Sequence, residues 1–201
     1  MSERRFEQRG RYFEEFEEGD VYVHAPARTV TEADNVLFTT LTMNPQSLHL
    51  DAEWSATTEF GERLVNSMFT LSTLVGLSVA QLTQGTIVAN LGFTDIRFPA
   101  PMRAGDTMTA ETRIIGKRLS KSRPGQGVVE FEHTARDQRG NIVAVAKRST
   151  LMRCRPDGAP EVDASGSAEA PEAAAAVAAA PAPADAPRLT ATAQPGAGSG
   201  A

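Results

Sequence analysis

Three histidines and one cysteine are the side chains of this chain that exchange protons or attack electrophiles near neutral pH: His24, His49, His133 and Cys154. His49 has the setting in which an imidazole does acid–base work. It ends the stretch Thr42-Met43-Asn44-Pro45-Gln46-Ser47-Leu48-His49, dense in amides and hydroxyls that hold water, and Asp51 follows two residues on. A neutral ring there acts as a general base; the alternative is a loop histidine that caps a helix end. His133 falls on the apolar side of an alternating segment, which points to a packed, hydrogen-bonded ring, and His24 sits near the first strand-like run. No pair of histidines has the spacing of a zinc or di-iron site, so no metal is expected. Phosphate-binding glycine loops and nucleophile elbows are missing, and nothing around Cys154 activates a thiol. Four cations fall within seven residues at Lys117-Arg118-Leu119-Ser120-Lys121-Ser122-Arg123. On a hairpin loop they either meet phosphates or form a solvated turn.

The elements that position these groups follow from pattern. Residues 20–30 suit a strand, and Thr31-Glu32-Ala33-Asp34 has the form of a capping box. The helix it opens should run to about Leu41 with Val36, Leu37 and Thr40 inward. Residues 42–49 should be a loop, because Pro45 disfavours helical geometry at Asn44. A short helix is expected around residues 51–58. From Leu64 to Thr94 there is no charged residue in 31 positions, and residues 65–82 predict a helix enclosed on most sides. Its serines, threonines, Asn66 and Gln81 are too many for a membrane span. Strands are expected at 86–97, 106–117, 127–136 and 141–152. Met108, Ala110, Thr112 and Ile114 should share one face, and Val129, Phe131, His133 and Ala135 another. One strand, an enclosed helix and four antiparallel strands make an α+β domain, a curved sheet wrapped around one long helix. A free sheet edge makes a homodimer the expected assembly.

Of the 201 residues, the 45 from Asp157 onward hold 18 alanines, six prolines, six acidic residues and one arginine. Residues 1–156 are left balanced at 19 acidic and 19 basic, so the net charge of −5 resides in residues 157–201. This balance excludes a general basic surface for nucleic acid. We expect one domain at 1–156 and a disordered Ala/Pro-rich tail at 157–201. A lone cysteine and a charged N-terminal stretch with no apolar run behind it predict a cytoplasmic protein, not membrane-bound.

Several of these segments together resemble a known family. They are Arg28-Thr29-Val30-Thr31-Glu32-Ala33-Asp34, Leu37-Phe38, the 44–51 loop, Phe98-Pro99-Ala100-Pro101-Met102, Gly105-Asp106-Thr107 and Gln138-Arg139-Gly140. The match over roughly residues 12–155 is to the MaoC-like dehydratases, the hot-dog-fold family of R-specific enoyl-CoA hydratases. The resemblance implies a single hot-dog fold and reversible addition of water to a 2-enoyl-CoA, a hydro-lyase reaction. Coenzyme A is then part of the substrate and no separate cofactor is needed. The family signature runs Ser-Gly-Asp, any residue, Asn-Pro, an aliphatic residue, His. Aligned on His49, Asn44 stands at the aspartate, Met43 at the glycine, and Gln46-Ser47 at Asn-Pro.

By this resemblance His49 is the catalytic general base and acid. Asn44 orients the water through its carbonyl but cannot accept its proton. The proton chemistry then falls to His49 alone, to His49 with Asp51, or to an enzyme of little or no activity. Asn66-Ser67-Met68 opens the central helix where the family has a glycine, so the Ser67 N–H is the implied oxyanion donor, with Asn66 beside it. The Met-Asn-Pro-Gln-Ser-Leu-His-Leu-Asp variant is similar to the subgroup of mesaconyl-CoA and itaconyl-CoA hydratases. That implies a branched C5 dicarboxylic acyl-CoA, with Gln46 and Ser47 toward its second carboxylate and Arg118, Lys121 and Arg123 toward the CoA phosphates. The length of residues 1–156 suits one hot-dog unit, which implies a homodimer or higher assembly. Two other readings of the same fold are an acyl-CoA thioesterase and a non-catalytic acyl-CoA-binding subunit.

Overall fold

The uncharged 31-residue run becomes helix α4 (Ser67–Leu82) and the first part of strand β3 (Ile87–Arg97). The computed structural model describes residues 6–157 and 167–169. Thr70, Leu74, Ser78 and Leu82, four apart, form the buried stripe of α4, as a 3.6-residue period requires. This stripe lies on one antiparallel sheet built from β2 (Val21–Thr29), β4 (Thr107–Leu119), β5 (Gln126–Arg136), β6 (Ile142–Arg153) and β3, in the order β2-β4-β5-β6-β3. The expected α+β architecture, a sheet over one long helix, is therefore observed. The expected alternation holds too: Met108, Ala110, Thr112 and Ile114 are buried, as are Val129, Phe131, His133 and Ala135.

Between β2 and α4 run three helices, α1 (Glu32–Leu41), α2 (Ser47–Leu50) and α3 (Ala52–Ala56). The capping box of α1 is made: the Asp34 N–H donates to Thr31 Oγ1 (3.2 Å) and the Thr31 N–H to Asp34 Oδ2 (2.9 Å). That backbone bond from Thr31, with Arg28 alongside, holds the Asp34 carboxyl below its ordinary pKa. Two expectations fail here. Val36, Leu37 and Thr40 face outward, and the buried positions of α1 are Asn35 and Thr39. The segment expected to be a loop through residue 49 ends in the one-turn helix α2, which carries His49.

A short strand β1 (Phe6–Gln8) pairs antiparallel with β7 (Ser167–Glu169) in a separate two-stranded sheet. Three residues of the expected disordered tail are thus paired; the rest of that expectation, from residue 158 on, lies outside the described residues. Next, the chain straps the far end of α4. Gly10 N–H donates to Gln84 O (2.7 Å) and Arg11 N–H to Leu82 O (2.9 Å), satisfying carbonyls that a helix C-terminus leaves open. No helix among the described residues is long and apolar enough to cross a membrane.

The core has two apolar clusters, one around Leu74, Met102, Met108 and Val143 and one around Phe16, Leu82, Ile114 and Phe131. A polar layer separates them. Gln81 Oε1 meets His24 Nδ1 (2.8 Å), His24 Nε2 meets Thr112 Oγ1 (2.7 Å), and Thr112 Oγ1 meets His133 Nδ1 (2.7 Å). His133 is therefore the packed, hydrogen-bonded ring expected, with no exposed surface. Burial, then the charge of Arg148, then His24, push its pKa down to about 3; burial lowers His24 as well. Unfolded histidines take up protons below about pH 6.5 that these two refuse in the fold. Their stabilising contribution is complete above that pH and is lost as pH falls below it, for His133 down to about pH 3. Unfolding free energies from urea titrations should drop between about pH 6.5 and 4.5, by up to roughly 1.4 kcal/mol per pH unit from His133 alone. His133→Leu should flatten the dependence, and an equally steep dependence in that variant would contradict this origin.

Candidate active site

Asn44 starts the local structure that holds His49. Its Oδ1 accepts the Gln46 N–H (3.0 Å), an Asx turn that spans Pro45 and leads into α2. Met43, at the position of the family's glycine, has φ of 55°, in the left-handed region, with its side chain exposed. That backbone conformation is the one glycine adopts without cost, which fits the glycine that the resemblance implies at this position. Asp51 closes α2 and caps α3, its Oδ1 accepting the Trp54 N–H (2.9 Å). The Asp51 carboxylate is thus engaged as a helix cap and is not among the residues that line the His49 cleft.

His49 is half-buried, and its Nδ1 lies 2.9 Å from the Leu64 carbonyl oxygen. A carbonyl only accepts, so Nδ1 carries a hydrogen, and in the neutral ring Nε2 keeps its lone pair. The ring lines a cleft of about 470 Å³ with Leu48, Phe60, Phe98, Pro99 and Met102 among its apolar walls and Ser67 and Thr70 as its other polar side chains. No carboxylate among the described residues lines it. The Val65 N–H donates to Met102 O (2.9 Å), joining the segment before α4 to the Phe98–Met102 turn, so the two walls are fastened to each other. That turn is anchored in its own right. Asp106 accepts from Arg103 N (2.8 Å), Gln138 Nε2 (2.7 Å) and Arg139 Nη2 (3.0 Å), which gives the Gly105-Asp106-Thr107 and Gln138-Arg139-Gly140 motifs a structural purpose.

The N-terminus of α4 opens on the same cleft. Asn66 is its N-cap, 3% exposed, and its Oδ1 accepts the Met68 N–H (2.9 Å). The Asn66 N–H is taken by Asn35 Oδ1 (2.9 Å). The Ser67 N–H between them has no acceptor among the described residues. It is a first-turn donor at the positive end of a 16-residue helix, disposed to receive a carbonyl oxygen or developing negative charge.

The structure brings His49 and Ser67 into one cleft and sets the other candidates elsewhere. Asn44 and Gln46 shape the turn before α2, Ser47 begins α2, and none of the three lines the cleft; Asn66 is buried as a cap. Arg118, Lys121 and Arg123 surround a separate depression of about 260 Å³ with Leu91 and Leu151. From Leu151 to Val143, which lines the His49 cleft, β6 runs eight residues, about 26 Å at roughly 3.3 Å per residue. Cys154 is no nucleophile: burial, with Glu14 beside it, pushes its thiol up to about 11. Among the described residues no three His, Cys, Asp or Glu side chains converge on a metal position.

Pattern reasoning missed Asn35 and Thr39. Both are buried on α1, and the Asn66 side-chain amide donates to Thr39 Oγ1 (3.3 Å). Their signal was an amide and a hydroxyl four apart among apolar neighbours. Such groups are buried only when they serve other polar groups.

Comparison with known proteins places the chain in a family and a fold. A β-methylmalyl-CoA dehydratase from Chloroflexus aurantiacus is 30% identical over 151 residues, 75% of this chain and 42% of that protein. A mesaconyl-CoA hydratase from Haloarcula marismortui is 28% identical over 145 residues, 72% of this chain and 40% of that protein. The chain thus spans about two fifths of the length of these relatives. A solved Mycobacterium tuberculosis protein described as a double hot-dog fold superposes with a TM-score of 0.67 at 25% identity, covering 89% of this chain and 53% of that one. The sheet over α4 is accordingly a hot-dog fold. Residues 15–137, more than half of the chain, match the family described as MaoC-like domain, and the chain belongs to this family of MaoC-like dehydratases.

Proposed function

We propose that this chain adds water across, and eliminates it to form, the double bond of a 2-enoyl-CoA. The observation that carries the reading is one cleft holding both a histidine with Nε2 free as base and the open Ser67 N–H of α4. With the thioester oxygen on the Ser67 N–H, a water on His49 Nε2 attacks the β-carbon and gives its proton to the ring. The C=C electron pair moves into an enolate whose oxygen Ser67 stabilises. The imidazolium then returns the proton to the α-carbon, so H and OH are both added and the ring is restored. Asn44 supports the base by shaping the turn.

Within this class we favour a branched C5 dicarboxylic substrate of mesaconyl-CoA or itaconyl-CoA type. Support comes from the hydratase and dehydratase relatives named for such thioesters. The working unit in this reading is a homodimer. β2 carries Pro26, which removes a backbone donor and spoils it as an edge. β3 offers a long free edge with Leu91 and Ile96 exposed, and α4 exposes an uncharged stripe of Met68, Ser72, Gly76 and Ala80. Antiparallel pairing of β3 with a second copy lays the start of one strand against the end of the other. That brings the partner's basic loop toward this cleft, and Arg118, Lys121 and Arg123 would meet CoA phosphates in this way. One cysteine and no disulfide suit a cytoplasmic setting.

The test is a panel of mesaconyl-, itaconyl- and crotonyl-CoA, followed by loss of enoyl-thioester absorbance. Turnover of at least one is expected, with a C5 dicarboxylic thioester preferred over crotonyl-CoA. No change with all three contradicts the reading. Release of free thiol without loss of the enoyl chromophore would instead indicate a thioesterase.

A further inference from the structure

We infer that Asn35 is the positioning residue that holds the base and the oxyanion donor in register; the inference rests on the hydratase reading above. Asn35 is 2% exposed, yet all of its amide is in use. Nδ2 donates to the His49 carbonyl (3.0 Å) and to the Leu64 carbonyl (3.3 Å). Oδ1 accepts the Asn66 N–H (2.9 Å) and lies 3.5 Å from Thr39 Oγ1. The amide orientation follows from the partners alone. Two carbonyls only accept and a backbone N–H only donates, so the NH2 must face α2 and the oxygen must face α4.

These four contacts reach both halves of the chemistry. The Leu64 oxygen that receives Asn35 is the same oxygen that receives His49 Nδ1–H. Fixing it fixes the ring and keeps Nε2 as the bare nitrogen. The Asn66 N–H held by Oδ1 immediately precedes the Ser67 N–H, so the same side chain sets where the helix starts. One amide on α1 thus spans the two elements whose separation decides whether water and thioester oxygen are served together. A residue that merely filled space would leave the His49 carbonyl and the Asn66 N–H buried without partners, and the Leu64 carbonyl with the His49 ring alone.

Asn35→Asp keeps the shape but turns acceptors toward both carbonyls, and Asn35→Ala removes the amide. Each is expected to lower kcat by about 10- to 100-fold with KM changed less than about threefold. Val129→Ala, in the remote apolar cluster, controls for lost stability and should leave kcat near wild type at a temperature well below its melting point. The second readout is nitrogen-15 NMR of the histidine rings. His49 of the wild type should be the Nδ1–H tautomer, and in the Asn35 variants it should become a mixture with the Nε2–H form. A wild-type His49 found as the Nε2–H tautomer overturns the inference even if the variants do not fold. So do folded variants whose kcat matches that of Val129→Ala. If the wild type hydrates no thioester, the functional reading fails, and the NMR arm still decides whether Asn35 holds the ring.

Discussion

Replacing His49 by alanine is expected to lower kcat by about 100- to 10,000-fold, the usual contribution of a positioned acid–base group, with KM little changed. The size of the loss follows from what else lines the cleft. Ser67 and Thr70 are the other polar side chains there, and neither takes a proton at neutral pH. Asp51 is two residues from His49, but its carboxylate caps α3 through Trp54. Asp51→Asn keeps an oxygen for that cap and should retain activity within about threefold, since Asn and Asp cap comparably. Steady-state kinetics on the two variants separate a lone histidine from a histidine–carboxylate pair. Loss of turnover in Asp51→Asn would assign the carboxylate a share of the proton transfer, and full activity in His49→Ala would remove the histidine from it.

Gly10→Ala should be among the most destabilising small substitutions in the fold. A Cβ at Gly10 would lie 2.5 Å from the backbone nitrogens of Thr83 and Gln84 and 2.7 Å from the Leu82 carbonyl carbon. Those atoms end α4 and cannot rotate aside as a side chain does. The strap must lift, weakening the bonds from Gly10 to Gln84 and from Arg11 to Leu82 that close the helix. Overpacking of this kind costs about 1–3 kcal/mol, a melting temperature lower by roughly 2–10 °C for a domain of this size. A thermal melt within 1 °C of wild type would show that the strap is not under this constraint. The His49 cleft is formed at the opposite end of α4, so kcat should survive below the new midpoint.

These two residues also mark how far the sequence could be read. Long uniform patterns were legible: the uncharged run gave α4, and the alternation in 106–117 and 127–136 gave the buried faces of β4 and β5, because a strict period repeats over many residues. The phase of α1 was not. The pattern placed Val36, Leu37 and Thr40 inward, but Asn35 and Thr39 are buried because backbone groups of α2 and α4 need partners. Hydrophobicity does not register that demand. Helix α2 is four residues long, too short for a period, and depends on the Asx turn of Asn44. His49 stood out by the amides around it, yet its tautomer depends on the Leu64 carbonyl, fifteen residues away. The strap at Gly10 is a long-range contact with no local mark. So is the distance of the basic loop from the cleft, which depends on the strand order.

The most direct test of the central claim is the fate of solvent oxygen. Wild-type protein incubated with mesaconyl-CoA, or whichever thioester of the panel it turns over, in oxygen-18 water should yield a hydroxyacyl-CoA carrying one heavy oxygen. Fragmentation in the mass spectrometer should place that oxygen on the β-carbon of the acyl group, with the thioester intact, and His49→Ala should form little of it. Heavy oxygen found instead in the carboxylate of a released acid, or no labelled hydroxyacyl-CoA from any thioester of the panel, would contradict hydration at the double bond.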